Sequence, residues 1–384
     1  MDSTTPPLAG VRVVEVSSFV AAPIAGLTLR QLGAEVIRID PIGGAADTKR
    51  WPLSPQGRSV YWAGLNRGKR SIELDLTSVD GQETLRQLAC APGADAGILV
   101  SNIYERSWLA DDLLRQHRSD LIHVQVLGWA NGEPAVDYVV NAASGLPYVT
   151  GPAHLVDPVN HVLPAWDLLC GMYVATAVLS GLHRRARDGV GMHATVSLED
   201  LATATLTTLG LLTEAHQTGR PRERIGNTVY GTFGTDVTLA DGTVLMVATV
   251  TDRQWRELLE VTGVAAAVAA VESGVGADFS DEGDRYLHRD VLVGLLRPWF
   301  ARRDLAEVTD ALARTHVLWS PFRRLTDLVA DVARGQSAVA HIVDEAGLGA
   351  NVVTSGPVRL RGEPSPAVAD APVLGADAAP VADG

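Results

Sequence analysis

The chain has 384 residues, a formal net charge of -13 at pH 7 and 46% hydrophobic residues. This length predicts one large or two medium globular domains, and the acidic balance argues against general nucleic-acid affinity without excluding a local anion site. The sequence shows neither an uninterrupted apolar run of membrane-spanning length nor a secretory leader, so we expect a cytoplasmic protein without a membrane span. The two cysteines, Cys90 and Cys170, stand in apolar surroundings and predict neither a disulfide framework nor a metal site.

The N-terminal residues predict a strand at 11–16, a helix at 23–32 and a second strand at 34–40. This unit has the size of a right-handed parallel crossover. The turn after the first strand reads SSFVAAP and lacks the Gly-x-Gly-x-x-Gly pattern, so a dinucleotide site is disfavoured. A ligand is still expected beyond the carboxyl ends of such strands.

Three cations precede the next predicted strand in residues 65–75, LNRGKRSIELD. They fit either a solvated turn before an edge strand or a clamp for phosphate groups. Alternating elements then predict a parallel sheet with helices on both faces. The predicted helices are 81–90 and 111–117, and the predicted strands are 96–100 and 121–126.

Glycine and proline are frequent from 128 to 164, which is typical of an irregular, functional stretch. It ends in VNHVLPAWD, followed by an uncharged helix predicted at 168–182. Asp167 at the mouth of this helix fits either an N-terminal cap or a nucleophilic carboxylate shielded from water. Spacing alone does not decide between the two.

The second half predicts a change of architecture after a basic, glycine-punctuated crossing at 220–234. We expect an α/β fold with a parallel-sheet, Rossmann-like large domain at 1–220, a smaller α+β domain at 221–330, and a return to the large domain with a tail at 331–384. The elements predicted here are strands at 192–196, 235–240, 243–250 and within 339–361, helices at 198–217, 252–262, 290–301 and 305–315, a hairpin turn at Asp241-Gly242, and a mobile or surface-draped tail at 364–384.

Several stretches, taken together and in order, resemble the class III CoA-transferase family of the CaiB/BaiF type. They are LAGVRVVEVSSFVAAP, QLGAEVIRIDPIGG, LNRGKRSIELDL, NIYERSW, HRRARDGVGMHATVSLEDL, RIGNTVYGTFGT and APVLG. The resemblance implies an acyl-CoA substrate, CoA as a substrate moiety rather than a permanently bound cofactor, and an interlocked homodimer. It adds no metal, nucleic-acid or membrane partner.

The resemblance also implies roles for individual residues. Asp167 occupies the position of the family's catalytic aspartate, and His161, Arg224, Asn227 and Tyr230 are candidates to hold substrate carboxylates. The implied CoA-binding residues are Phe19, Val20, Ala21, Arg38, Lys69, Asn102, Ile103 and Arg106. Arg38, Lys69 and Arg106 would offset phosphate charge.

Within the family, DPIGGAADTKRWP, YWAGLNRGKRSI, VDYVVNAASGLPYVTGP and VNHVLPAWD are most similar to members that move CoA between the C1 and C4 carboxyl groups of mesaconate. The alternative is intermolecular transfer to another small acid. A racemase is disfavoured because Val136 stands where the racemases place a histidine, and racemisation needs two bases. A noncatalytic CoA-binding protein and a nicotinamide oxidoreductase are more distant alternatives.

Overall fold

The computed structural model describes residues 5–103, 106–361 and 367–377. Its strands are β1 (Arg12–Val16), β2 (Glu35–Pro41), β3 (Arg70–Leu74), β4 (Ile98–Ser101), β5 (Ile122–Leu127), β6 (Met192–Ser197), β7 (Phe233–Thr238), β8 (Val244–Thr249), β9 (Leu318–Pro321), β10 (Ala340–Glu345) and β11 (Gly349–Thr354). Its helices are α1 (Ala21–Gln31), α2 (Val60–Asn66), α3 (Val79–Ala89), α4 (Asp111–His117), α5 (Asp137–Ala143), α6 (Ala165–Asp188), α7 (Leu198–Thr208), α8 (Leu211–Thr218), α9 (Asp252–Thr262), α10 (Ala265–Val275), α11 (Glu282–Leu287), α12 (Arg289–Phe300), α13 (Leu305–Leu312) and α14 (Leu325–Ala333).

The chain forms two compact units. The first comprises Met1–Gly145, Asn160–Gly219 and Val329–Gly384, and the second comprises Leu146–Val159 and Arg220–Leu328. The chain therefore leaves the first unit after α5 and re-enters it just before α6. The domain limits expected from the sequence stay a prediction.

A six-stranded sheet organises the first unit, with strand order β3-β2-β1-β4-β5-β6 and every neighbouring pair parallel. Because side chains alternate along a strand, Val14 and Val16 of β1 face a core that includes Leu85 of α3 and Leu114 of α4. Helices α1 and α6 pack against each other, and both also contact the sheet. The expected parallel α/β architecture is confirmed.

The second unit is built around the antiparallel sheet β7-β8-β9. Its core includes the buried aromatic residues Phe233, Trp255, Phe279 and Phe300. The predicted hairpin joins β7 to β8, and Gly242 at φ 84° supplies the left-handed backbone that this turn requires.

Two predicted helices differ from the observed ones. The single helix expected at 198–217 is wrong, because Gly210 adopts φ 79° and separates α7 from α8. Helix α6 begins at Ala165, so Asp167 lies inside its first turn and not ahead of it.

The C-terminal residues pack on the first unit. Hairpin β10–β11 is held there by the ion pair between Arg67 and Glu345 at 2.7 Å. The Asp377 amide donates to the carbonyl of Ser71 in β3 at 3.0 Å, and the Ser71 amide donates to Asp377 Oδ2 at 2.8 Å. Residues 367–377 of the expected tail therefore lie on the surface of this unit, and the rest of it, 364–366 and 378–384, lies outside the described residues.

Helix α6 is 24 residues long and reaches a mean hydropathy of 1.4 over 18 residues. By length and composition alone it is able to cross a membrane. One such helix is weak evidence for a span, because the core helix of a globular protein meets the same criterion.

Candidate active site

The centre of the first unit's sheet is a topological switch point, where the chain order reverses between β1 and β4. The loops that follow these strands are joined by Asn102, whose Oδ1 accepts from the Ser18 amide at 3.2 Å and whose Nδ2 donates to the Ser18 carbonyl at 2.9 Å. A cleft of about 330 Å³ opens at this edge. Five of the residues singled out in the sequence line it together: Phe19, Val20, Ala21, Asn102 and Asp167.

Phe19 shapes the floor of this cleft through an unusual backbone conformation, with φ 64° in a residue other than glycine. Its amide donates to Asp47 Oδ2 at 2.9 Å. Asp47 is itself fully buried and paired with the Arg38 guanidinium at 3.3 Å. This anchored carboxylate holds the turn in its strained shape.

Arg38 and Lys69 form a buried ion-pair network with the carboxylates around them. The Arg38 guanidinium donates to Asp40 at 2.9 Å, and Lys69 Nζ donates to Glu15 at 2.9 Å. Both cationic side chains are completely buried. Gly26 makes room for the network, since a Cβ there would lie 1.8 Å from Glu15 Oε2.

The expected role of Arg38 and Lys69 in offsetting phosphate charge does not fit this placement, because neither side chain has a solvent-facing donor. Burial lowers the pKa of Lys69 to about 8, although Glu15 acts in the opposite direction. The two cations instead lie inside the fold, where they support the turn that follows β1.

The start of α6 is capped by a residue from another helix. Asp137, the first residue of α5 and 1% exposed, accepts hydrogen bonds through Oδ2 from the amides of Trp166 at 2.7 Å and Asp167 at 3.1 Å. The remaining amides of this turn donate to backbone carbonyls, Ala165 to Leu163 and Leu168 to Pro164. The Asp167 carboxyl is thus not needed as the cap of its own helix.

Electrostatics make Asp167 more basic than an ordinary aspartate. Burial raises the pKa of Asp167 to about 7, Asp137 adds to the rise, and Arg50 opposes it. Arg50 also stacks over the rings of Phe19 and Tyr61 at 5.6 and 5.1 Å. Burial likewise raises the pKa of Tyr61 to about 12. Asp167 is therefore a partly buried carboxyl beside one cation and one carboxylate.

His161 does not line the cleft, and it contacts the carboxylate pair of Asp137 and Asp167 through Asp137. Its Nε2 is hydrogen-bonded to Asp137 Oδ1, and its amide donates to Asn160 Oδ1 at 3.0 Å. Asn160 Nδ2 in turn donates to the Tyr138 carbonyl at 3.0 Å. These bonds join α5 to the segment that leads into α6.

Ile103 and Arg106 line a second cleft of about 440 Å³ in the first unit. It also contains Asp111, His123 and His193, whose ligand atoms lie within 4.8 Å of one another. The two imidazole rings are stacked with an interplanar angle of 12°. Since a metal ion must lie near the plane of each imidazole that binds it, this stacking does not present both rings to one ion.

The remaining substrate candidates lie in the second unit. Arg224 is buried and donates to the carbonyls of Pro147, Leu155 and Asp157, so its expected contact with a substrate carboxylate does not fit this placement. Asn227 lines a cavity of about 410 Å³, and Tyr230 stacks under Arg222 at 3.5 Å.

Two neighbours of Asp167 were not assigned from the sequence, Asp137 and Arg50. Asp137 is the only charged residue between 134 and 156, and this isolation is the signal in the sequence that points to it. Arg50 ends the stretch DPIGGAADTKR, and no feature of that sequence distinguishes Arg50 from the lysine before it as a functional residue. Residues 104 and 105 of the NIYERSW stretch lie outside the described residues.

Comparison with known proteins decides the family. The model of CoA-transferase family III matches residues 8–378 of this chain. The chain belongs to CoA-transferase family III. The 2-methylfumaryl-CoA isomerase of Chloroflexus aurantiacus is 43% identical over 374 residues, which cover 96% of this chain and 91% of that protein.

Two further proteins are similar to the chain over most of its length. The succinyl-CoA:mesaconate CoA-transferase of Haloarcula hispanica is 26% identical and covers 91% of this chain and 89% of its own. A crystal structure of a CaiB/BaiF family protein from Brucella suis superposes with a TM-score of 0.77 at 24% identity, covering 97% of each chain, and supports the fold alone. As a member of family III, the chain is an enzyme of the CoA-transferase type.

Proposed function

We propose that this family III CoA-transferase moves CoA between the C1 and C4 carboxyl groups of mesaconate, with Asp167 as the nucleophile. Asp167 attacks the thioester carbonyl to give a mixed anhydride and CoA thiolate. The thiolate attacks the aspartyl carbonyl, which forms an aspartyl-CoA thioester and releases the C1 carboxylate. The C4 carboxylate then attacks this thioester, and the returning thiolate cleaves the new anhydride at C4 and frees Asp167.

The observation that carries the proposal is the position of Asp167, in a cleft at the switch point of a chain 43% identical to an isomerase of this substrate. Each step exchanges one acyl bond for another of similar energy, so the scheme uses CoA as a substrate moiety and draws on no permanently bound cofactor. The site has to orient the groups and exclude water.

The cleft residues have matching tasks in this proposal. Val20 and Ala21 present small apolar side chains to the CoA arm, and Phe19 and Asn102 add an aromatic ring and a polar amide. Arg106 with Ile103 offers the exposed cation and apolar surface of the second cleft. Polar side chains have to hold the freed diacid in the site, and Asn227 and Tyr230 stay candidates for this role.

The experiment that tests intramolecular transfer is incubation of the purified enzyme with mesaconyl-C1-CoA and no added acid. Formation of mesaconyl-C4-CoA at a rate independent of added mesaconate supports it. Labelled free mesaconate supplies the control. Incorporation of label at every turnover would show an intermolecular transferase, which is the activity that the name of the Haloarcula relative describes.

The nucleophile is tested separately with hydroxylamine, which converts an aspartyl thioester to a hydroxamate. We expect mass spectrometry to find this modification on Asp167 of the parent enzyme and to find none in Asp167→Asn, whose turnover falls by several orders of magnitude. Full turnover in Asp167→Asn would overturn the assignment.

We also propose that the enzyme is an interlocked homodimer in the cytoplasm. Helix α6 supports an interface, since its exposed apolar side chains recur at helical spacing along one face at Leu169, Met172, Tyr173 and Leu179.

A further inference from the structure

Asp137 makes contacts that an ordinary helix cap does not need. Its Oδ2 accepts from two amides of α6, and its Oδ1 is held by His161 Nε2. The carboxylate is 1% exposed and belongs to a different helix from the one it caps. Both carboxylate oxygens of Asp137 are therefore held by hydrogen bonds, one of them to the backbone amide of Asp167.

We infer that Asp137, oriented by His161, is a positioning residue that accepts the amides of the α6 N-terminus and holds its negative charge beside Asp167, so that the Asp167 carboxylate is left free to attack. This inference rests on the proposed nucleophilic role of Asp167. An acidic residue in the first turn of a helix is normally stabilised as an anion by the helix dipole and the free amides. Such stabilisation makes a carboxylate a weaker nucleophile.

The charges around Asp167 show which way Asp137 acts. The groups that face it are Asp137 on α5, Arg50 after β2, Tyr61 on α2 and Cys170 one turn further along α6. Arg50 favours the anion, whereas Asp137 disfavours it. Because formation of the aspartyl thioester removes the charge of Asp167, the repulsion from Asp137 is relieved in the intermediate. The same residue therefore favours acylation.

Anchoring by His161 gives Asp137 this fixed position. The His161 ring packs against both α5 and α6, 5.7 Å from the ring of Tyr138 and 6.4 Å from that of Trp166. Trp166 Nε1 donates to Asn141 Oδ1 at 3.0 Å. Hydrogen bonds thus join helix α5 to the start of α6 around the carboxylate pair.

The test is the titration of the Asp167 carboxyl, followed by carbon-13 NMR of aspartate-labelled enzyme, with Asp167→Asn to assign the signal. In Asp137→Asn the amide oxygen still accepts the helix amides, but the charge is gone. We expect the titration midpoint to fall by about one pH unit or more, and the acidic limb of the kcat/KM profile to move with it. Asp304→Asn, at the cap of α13, is the matched control and leaves the midpoint unchanged.

An unchanged midpoint in a folded Asp137→Asn enzyme would overturn the inference. This readout needs no turnover, so it is separate from any failure of the Asp167 mechanism itself. If Asp137→Asn does not fold, His161→Phe and His161→Gln decide. We expect kcat to fall at least about tenfold in His161→Phe with little change in KM, and to recover in His161→Gln, which retains a donor. Equal activity in the two His161 variants would contradict the proposed anchoring.

Discussion

Asp167, the proposed nucleophile, illustrates at the residue scale how a buried carboxyl opposes stability. Its pKa is raised to about 7 from an ordinary value of 3.8. The folded state therefore binds this proton more tightly than the unfolded state does, and stability falls as the pH rises from about 4 to about 7. Above pH 7 the ionised carboxyl costs the fold up to about 4 kcal/mol.

We predict that Asp167→Asn, which cannot ionise, has a higher Tm than the parent enzyme at pH 8, and that the difference shrinks toward pH 4. Calorimetry at several pH values measures it. Asp112→Asn, an exposed aspartate of the same unit, is the control for removing one charge. A gain that does not depend on pH would show that burial of the ionised carboxyl is not its source.

The sequence predicted residues of the site unevenly. Asp167 and the turn at Phe19 were identified through their family motifs, and both line the cleft. Arg38 and Lys69 were expected at the ligand, but the structure pairs them with carboxylates inside the fold. The partner that decides this is Glu15, which stands in an apolar strand where an ionisable residue needs a buried counter-charge. Sequence order does not show which cation reaches it.

At the scale of elements, close packing of α6 on α1 depends on Gly171. A Cβ at this position would lie 1.9 Å from Ile24 Cγ2 and 2.8 Å from the Ala21 carbonyl oxygen. We predict that Gly171→Ala destabilises the enzyme by about 1–3 kcal/mol and also lowers activity, because α1 carries the Ala21 wall of the cleft.

Gly294→Ala is the matched control for that substitution. Gly294 lies within α12, and apart from its chain neighbours and the helix's own backbone, the part of the chain that the structure describes places no atom within 4 Å of its added Cβ. Alanine there should stabilise by about 0.5–1 kcal/mol through its higher helix propensity. Urea unfolding of both variants measures whether each alanine lowers or raises the free energy of unfolding. Similar effects of the two alanines would refute the packing argument.

Most periodic elements were predictable, whereas α10, in which nearly every residue is small or apolar, and several short helices in irregular sequence were not. Apart from α2, the alternating strands and helices from β1 to β5 follow from apolar runs separated by glycine and polar turns. Helices α2 and α5 have only seven residues each and lie in stretches rich in glycine or aromatic residues, where periodicity gives no signal. The missed α5 matters most, since it carries Asp137.

For the whole molecule, the proposed interlocked dimer predicts a particular mass. We predict a species of twice the 40.6 kDa of one chain that persists on dilution to nanomolar concentration, because interlocked chains cannot part without unfolding. Mass photometry over a dilution series measures it, with a denatured and diluted sample as the monomer reference. A fraction of monomer that increases as the folded enzyme is diluted would exclude interlocking.

The capped start of α6 has a consequence for the transition state. In the proposed mechanism, attack by Asp167 produces an oxyanion, and helix starts often stabilise such charge with unused amides. Here the amides of Ala165, Trp166, Asp167 and Leu168 already have acceptors. The oxyanion must find its donors on another segment of the enzyme, and an inhibitor that mimics the tetrahedral centre should be designed with its anionic oxygen directed away from this helix.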